Sequence, residues 1–195
     1  LPRLAGARAE VESIENLART SRPGARIGVR VGCDATPTAL REAVASRADL
    51  LHIATHGYVD ASRPRLSALA LTRDADKDAA SAAFGLLEIL QLPVRSRLVV
   101  LSACETSRGR LLPGEGVLGP AQAFLQAGAA SVLASYWRVD DAETALFMST
   151  FYRRLLVDRL TVAAALRQTQ IEFASGHRPH TWAAFGLYGQ PDASF

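Results

Sequence analysis

The amino-acid sequence predicts an α/β domain with a mostly parallel central sheet and helices on both of its faces. Three short apolar runs support this prediction, because unbroken apolar stretches of this length are typical of strands that are covered on both sides. They are LLHIAT (50–55), RLVVLSA (97–103) and SVLASYW (131–137). Helical patterns separate the runs, and this alternation favours parallel pairing. With 195 residues, 49% of them hydrophobic, the chain is long enough to bury one sizeable core.

The first quarter of the chain predicts a helix, a strand and a second helix. Residues 4–19 place apolar side chains at helical spacing, and residues 25–32 (ARIGVRVG) alternate as a strand does. A helix over 36–46 follows, with Thr36 as its N-cap and Pro37 in its first turn. These elements lead directly into the first apolar run.

The middle of the chain predicts shorter elements. Residues 57–65 are expected to form a loop, 66–72 (LSALALT) a strand, 73–83 a turn, and 84–91 (FGLLEILQ) a short helix.

Further elements follow the second apolar run. In order, the sequence predicts a Gly-rich loop from Glu105 to Gly116, a helix over 116–127 closed by Gly128, a helix over 140–157 capped by Asp140, a helix over 161–175 capped by Thr161, and a last strand within 182–189. His177 and His180 are expected in a solvated terminal loop. We find no linker that divides the chain, so residues 1–195 are predicted to form one domain.

Composition argues against several classes of protein. Two cysteines do not make a disulfide scaffold, which indicates a reducing, cytoplasmic setting. The net charge of +3 comes from arginines scattered among acids, so we expect no direct nucleic-acid partner. No apolar run reaches the roughly 18 residues that a membrane span needs, and we expect no membrane association. The chain has neither an initiator Met nor a leader, which suggests a piece of a longer protein.

Reactive side chains follow two of the predicted buried strands. His56 and Gly57 come after LLHIAT, and Cys104 comes after RLVVLSA, 48 positions further on. In open parallel sheets, ligands bind beyond the carboxyl ends of the strands. If these strands are neighbours, His56 and Cys104 share one cleft, and an imidazole beside a cysteine favours the nucleophilic thiolate. The backbone N–H groups of Gly57 and Cys104 would then form an oxyanion hole.

Simpler readings of these residues stay open. A cysteine at the end of an apolar strand is commonly a small buried hydrophobe, and His-Gly after a strand is commonly a turn. His52 and His56 are four positions apart, a spacing that suits a metal on a helix. On a strand they would lie about 13 Å apart at about 3.3 Å per residue. We therefore expect neither a metal site nor a cofactor.

Several segments together resemble the CHAT domain, a bacterial branch of the caspase-like cysteine peptidases that also include separases, gingipains and metacaspases. They are LHIATHG, LVVLSACETSRG, GEGVLGPAQAFLQAGAASVLASYWRVDD, ALFMSTFYRRL, AALRQTQ and WAAFGLYG. The resemblance covers nearly the whole chain. It implies a caspase-like three-layer sandwich, with His56 as the catalytic histidine and Cys104 as the nucleophile. It also implies an effector domain at the C-terminal end of a larger protein, behind helical (TPR-like) repeats.

Four acids are candidates for binding a protein or peptide substrate. The stretch YWRVDD ends in Asp140 and Asp141, and it resembles a separase segment whose acid grips an arginine. By that resemblance Asp141 is the better match, whereas Asp140 suits the helix cap, and either acid could serve only as a cap. Glu105 and Glu115 could line the cleft or could be solvated loop acids.

The sequence supports three functions in order of preference. The first is a cysteine endopeptidase that cleaves after a basic residue. The second is an autoinhibited or non-catalytic interaction module with the same fold. The third is another acyl-transfer enzyme with a Cys–His pair, which the fold alone does not separate from a peptidase.

Overall fold

The structure is a computed structural model, which describes residues 5–58, 60, 63, 66–102, 110–112 and 116–195. The strands are β1 (Leu50–Ala54), β2 (His56–Tyr58), β3 (Ala68–Ala70), β4 (Ala83–Gly85), β5 (Leu98–Ser102), β6 (Arg110–Leu112), β7 (Gly116–Leu118), β8 (Ser131–Ser135) and β9 (Phe185–Gly189). The helices are α1 (Ala5–Ser21), α2 (Pro37–Ala45), α3 (Leu86–Leu90), α4 (Pro120–Gln126), α5 (Asp141–Tyr152), α6 (Val162–Ala174) and α7 (Pro179–Trp182).

The central sheet has four strands in the order β1-β5-β8-β9. The three apolar runs of the sequence form β1, β5 and β8, which pair in parallel, and β9 joins β8 antiparallel. Every residue of β5 and β8 is buried, as expected for strands covered on both faces. The predicted α/β fold with a mostly parallel sheet is confirmed.

Helices cover both faces of this sheet. Adjacent residues of β5 show the division, since Val99 belongs to one buried cluster and Val100 to the other. The Val99 cluster includes residues of α2, α3 and α4, here called the α2 layer. The Val100 cluster includes residues of α5 and α6 and packs against α1, and these three helices are here called the α5 layer. The sandwich therefore has three layers.

Three predicted helix starts are confirmed by their caps. The Thr36 hydroxyl accepts a hydrogen bond from the Ala39 N–H at 3.2 Å, and the Thr161 hydroxyl accepts one from the Ala164 N–H at 3.3 Å. The Asp140 carboxylate accepts from the first turn of α5. A cap of this kind contributes about 1 kcal/mol to helix stability.

Several local expectations are wrong. Residues 25–32 form no strand, although the C-terminal part of the segment is extended. The predicted loop over 57–65 begins inside β2, which pairs with β3, and β4 completes this small antiparallel sheet. The predicted loop up to Gly116 contains β6 and reaches β7. Strands of three residues are too short for their alternation to stand out in the sequence.

Within the described part of the chain, no helix combines the length and the apolar character that a bilayer crossing requires.

Candidate active site

The carboxyl ends of β1 and β5 lie side by side at one edge of the sheet. Leu50 pairs with Leu98 and Ala54 with Ser102, a constant difference of 48 positions. Just beyond β1, the Thr55 N–H donates to the Ser102 carbonyl at 3.2 Å. The cleft predicted from the sequence depends on β1 and β5 being neighbours, and the two strands are paired.

His56 begins β2 immediately beyond this edge. It lies opposite Ala70 of β3, and Gly57 lies opposite Leu69. The Thr55 hydroxyl donates to the Ala70 carbonyl, which fixes the bend by which the chain leaves the central sheet for the small sheet. His56 and Gly57 are both half-buried. Their backbone belongs to the small sheet through β3, whereas the sequence suggested a loop from residue 57 onward.

Cys104, Glu105 and Glu115 lie outside the described residues, so their predicted roles remain predictions. The description of β5 stops at Ser102, two positions before Cys104. The second cysteine, Cys33, is exposed in a short 3₁₀ turn, Gly32–Asp34. Because its side chain is exposed, Cys33 is not packed in the core.

The segment after β8 is held by α7. The indole N–H of Trp137 donates to the His180 carbonyl at 2.7 Å, and the two rings stack at 5.8 Å between centroids. Nε2 of His180 lies 3.0 Å from the Arg138 carbonyl. These contacts fix the backbone that leads from the end of β8 to the start of α5.

The sequence predicted that His177 and His180 lie in a solvated terminal loop. The contacts of both residues differ from that prediction. His180 is exposed but belongs to α7. His177 is half-buried, stacks on Phe173 and approaches Glu143 with its Nδ1 at 3.4 Å.

Asp140 and Asp141 have different surroundings although they are adjacent. Asp140 is exposed, and its Oδ1 accepts from the Ala142 N–H at 2.9 Å and the Glu143 N–H at 3.3 Å. Asp141 is half-buried in the first turn of α5, where α1 comes very close. A Cβ atom added to Gly6 would lie 2.6 Å from the Asp141 carbonyl oxygen. The predicted cap is Asp140, which leaves the side chain of Asp141 without that task.

A buried polar group on β1 was missed by the sequence reasoning. His52 faces the α5 layer, with Nδ1 at 3.0 Å from the Tyr152 hydroxyl and Nε2 at 2.9 Å from Oε1 of Glu10. The Nε2–Oε1 contact has the distance of an ion pair but not the angles of a hydrogen bond. Burial, and secondarily the nearby charge of Glu10, raise the pKa of Tyr152 well above its usual range.

Only part of this group left a signal in the sequence. Strand alternation could have placed His52 on the opposite face from Leu51, but nothing in the sequence paired it with Glu10. Within the described residues, no group of three or more His, Cys, Asp or Glu side chains is placed to hold a metal ion.

Comparison with known families agrees with this architecture. The model of the CHAT domain family matches residues 1–190, and the chain belongs to this family.

Two solved structures resemble this fold. The crystal structure of the Arg-specific cysteine proteinase gingipain R matches with a TM-score of 0.67 at 13% identity, over 94% of this chain and 41% of that one. The complex of the pro- and mature domains of RgpB from Porphyromonas gingivalis matches with a TM-score of 0.62 at 14% identity, over 93% of this chain and 42% of that one. At these identities the likeness concerns the fold alone, and it is the caspase-like fold that the sequence predicted.

The curated relatives that match are much longer than this chain. Tetratricopeptide repeat protein 28 of Homo sapiens is 40% identical over 103 residues, which is 51% of this chain and 4% of that protein. The same-named protein of Mus musculus is 35% identical over 105 residues, 52% of this chain and 4% of that protein. The matching region is therefore a small part of each relative. Both relatives are mammalian, so they do not support the bacterial origin that the resemblance implied.

Proposed function

We propose that the chain is a cysteine endopeptidase domain in which His56 and Cys104 form a catalytic dyad that cleaves peptide bonds after a basic residue. One observation carries the proposal. The register of β1 against β5 has a constant difference of 48 positions, and His56 and Cys104 differ by the same number. Two residues at equal distances beyond paired positions of neighbouring parallel strands start from the same edge of the sheet.

The chemistry follows from a thiolate beside an imidazolium. The thiolate of Cys104 attacks the carbonyl carbon of the peptide bond, and the C=O electron pair moves to the oxygen. The adduct expels the amine, which takes a proton from His56, and a thioester remains on Cys104. His56 then accepts a proton from water, the hydroxide adds to the thioester, and the acid leaves as the thiolate is restored.

The oxyanion of both adducts needs donors on one side of the cleft. We assign this role to the backbone N–H groups of Gly57 and Cys104. A donor of this kind is worth about 10²-fold to 10³-fold in kcat. A glycine at position 57 suits the role because no side chain covers its N–H.

Substrate preference is assigned to the acids at the end of β8. Asp141 would grip an arginine or lysine side chain of the substrate by a charge-assisted hydrogen bond. It is free for this role because the cap of α5 is supplied by Asp140. Asp140 would add only to the negative potential at the pocket, and Glu105 and Glu115 would line the cleft.

The setting we propose is an effector domain behind TPR-like repeats in a longer cytoplasmic protein. Two curated relatives that match half of this chain are named as tetratricopeptide repeat proteins, which supports such a neighbour. The repeats would dock a protein substrate or sense a signal, and no cofactor enters the chemistry.

An activity-based probe tests the dyad. We expect a peptidyl acyloxymethyl ketone ending in arginine to alkylate Cys104, detected by the mass of the Cys104 peptide. Labelling should disappear in Cys104→Ala and slow by at least about 10²-fold in His56→Ala, because the thiolate loses its partner. The exposed Cys33 is the internal control, and Cys33→Ala should be labelled normally.

Two results would contradict the proposal. Equal alkylation rates at Cys33 and Cys104 would mean that Cys104 is an ordinary thiol. A folded chain in which Cys104 is never labelled, with or without the rest of the protein, would favour a non-catalytic interaction module.

Isosteric substitutions test the basic-residue pocket. Asp141→Asn should lower kcat/KM after arginine by about 10-fold to 100-fold while cleavage after leucine stays the same, because one charge-assisted hydrogen bond to the substrate is lost. Asp140→Asn is the matched control, since asparagine keeps the cap oxygen and removes the same charge. Peptide libraries with Arg, Lys, Asp and Leu before the cut give the measurement. An unchanged preference in Asp141→Asn would remove Asp141 from the pocket.

A further inference from the structure

The residues after β8 leave the central sheet at the edge to which we assign the dyad. Val99 pairs with Val132, and the whole pairing of β5 with β8 keeps this difference of 33 positions. Trp137 follows Cys104 in the sequence by the same number. Residues 136–140, here called the connecting segment, therefore begin beside that edge and lead into α5.

Helix α7 holds the connecting segment by a two-way contact, here called the Trp137–His180 clasp. The indole N–H of Trp137 donates to the main-chain carbonyl of His180 at 2.7 Å. In return, Nε2 of His180 lies 3.0 Å from the carbonyl oxygen of Arg138. Because a carbonyl oxygen only accepts, this contact places a proton on Nε2 of the imidazole. The two rings also stack, with 5.8 Å between their centroids and 22° between their planes.

The same helix also holds the first turn of α5. The hydroxyl of Thr181, a buried residue, donates to Oε2 of Glu143 at 2.7 Å. Helix α7 therefore contacts the chain on both sides of Asp141, at Arg138 ahead of it and at Glu143 after it. The direction of the Asp141 side chain follows from how these two contacts set the start of α5.

Helix α7 is itself fixed to the α5 layer. The side-chain amide of Gln170 in α6 donates to the carbonyl oxygens of Trp182 and Phe185, at 3.2 Å and 3.0 Å. Thr181 and Ala184 are buried. A short helix anchored in this way is a firm support for a neighbouring segment that has no regular secondary structure of its own.

We propose that His180 is a positioning residue for the substrate pocket, because its ring and its carbonyl hold the backbone ahead of Asp141. The inference rests on the proposed function, since it needs the pocket that Asp141 serves. In this role His180 touches no substrate atom and acts only through the connecting segment. Its loss should weaken the choice between substrates and leave the reactivity of Cys104 unchanged.

His180→Gln and His180→Leu are a matched pair of variants. The two side chains are similar in size, but only glutamine carries an N–H group at the place of Nε2. In His180→Leu, the ratio of kcat/KM after arginine to kcat/KM after leucine should fall by about 3-fold to 10-fold, the effect of one hydrogen bond. The loss should appear in KM for the arginine substrate, and His180→Gln should recover most of the ratio.

Alkylation of Cys104 by iodoacetamide separates positioning from chemistry. This reagent carries no side chain that a pocket could bind, so its rate at Cys104 should be the same in the parent chain and in both variants. A general loss of folding would instead lower this rate together with the rate of cleavage after leucine.

The indole N–H of Trp137 reports on the clasp without any peptidase activity. Its hydrogen exchange can be followed by nuclear magnetic resonance, and its signal is assigned by its absence in Trp137→Phe. We expect exchange to be at least about 3-fold faster in His180→Leu than in the parent chain, because the clasp opens more often. The rate in His180→Gln should stay close to that of the parent.

The possible failures are distinguishable. Equal indole exchange in the parent chain and in His180→Leu would overturn the inference, because the ring would then not hold the segment. A ratio that falls in Asp141→Asn but not in His180→Leu would also overturn it, while leaving the pocket in place. A folded parent chain in which Cys104 is never labelled would contradict the proposed function, and the inference would fall with it.

Discussion

At the scale of single residues, His52 and His56 differ in what surrounds them, although only four positions separate them. His52 lies in the α5 layer between Glu10 and Tyr152, where both of its ring nitrogens have close partners. Glu10 is 3% exposed, so its carboxylate is taken out of water, and its Oε1 lies 2.9 Å from Nε2 of His52. Strand β1 therefore joins α1 and α5 through one histidine and leads to the other at its end.

Substitution of Tyr152 should change both the stability and its dependence on alkaline pH. Tyr152→Phe removes the hydrogen bond to His52 and should cost about 1 kcal/mol at pH 7. The pKa of Tyr152 is raised in the folded state, so the folded protein holds this proton more tightly than the unfolded chain does. The contribution of Tyr152 to the free energy of unfolding is therefore complete below about pH 10 and is lost as the pH rises beyond that. Urea unfolding of Tyr152→Phe should therefore show a shallower loss of stability above about pH 10.

Tyr58→Phe is the control, because Tyr58 is 57% exposed and should change neither quantity. Identical alkaline slopes for the parent chain and Tyr152→Phe would show that Tyr152 ionises normally.

At the scale of the elements, the sequence predicted where three helices begin, but it did not predict how the helices pack against each other. Thr36, Asp140 and Thr161 cap the helices that follow them, as local sequence predicts. The approach of α1 to α5 is a tertiary contact, made possible by Gly6 against the backbone of Asp141. Ser13 and Ser149 continue the same interface, with their hydroxyls 3.0 Å apart.

Gly6→Ala tests this interface against helix propensity. Alanine in place of glycine normally stabilises a helix by about 1 kcal/mol. Here we expect a net loss of about 1 kcal/mol or more, because the new methyl group would collide with the Asp141 carbonyl and push α1 away from α5. Thermal unfolding gives the measurement, and Gly28→Ala, with open space around it, is the control. A gain in stability for Gly6→Ala would mean that α1 does not pack this closely.

At the scale of the whole molecule, one sheet joins two buried clusters. Phe124 belongs to the cluster of the α2 layer and Phe151 to that of the α5 layer, and both are fully buried. Since neighbouring residues of β5 contribute to opposite clusters, neither layer has a sheet of its own. We expect the two layers to unfold together.

Cavity substitutions on the two faces test this coupling. Phe124→Ala and Phe151→Ala should each cost about 3–5 kcal/mol and lower the midpoint of a single transition. Circular dichroism and tryptophan fluorescence should report the same midpoint in both variants. Separate transitions for the two probes would show that the layers unfold independently.

The sequence by itself determined the elements whose signal is local. Apolar runs fixed β1, β5 and β8, and side chains at helix starts fixed α2, α5 and α6, because burial and capping depend on neighbours in the chain. The same signals placed His56 and Cys104 just after two buried strands, and motifs led to the CHAT family, which the family comparison confirmed.

Only the tertiary structure decided what depends on partners far apart in the chain. The register of β1 against β5, the contact of His52 with Glu10 and Tyr152, and the Trp137–His180 contact all join residues that the sequence keeps apart. Residues 26–31 show the reason most directly. Their alternation is that of a strand, yet a strand exists only where another chain segment accepts its hydrogen bonds, and the described residues place none beside it.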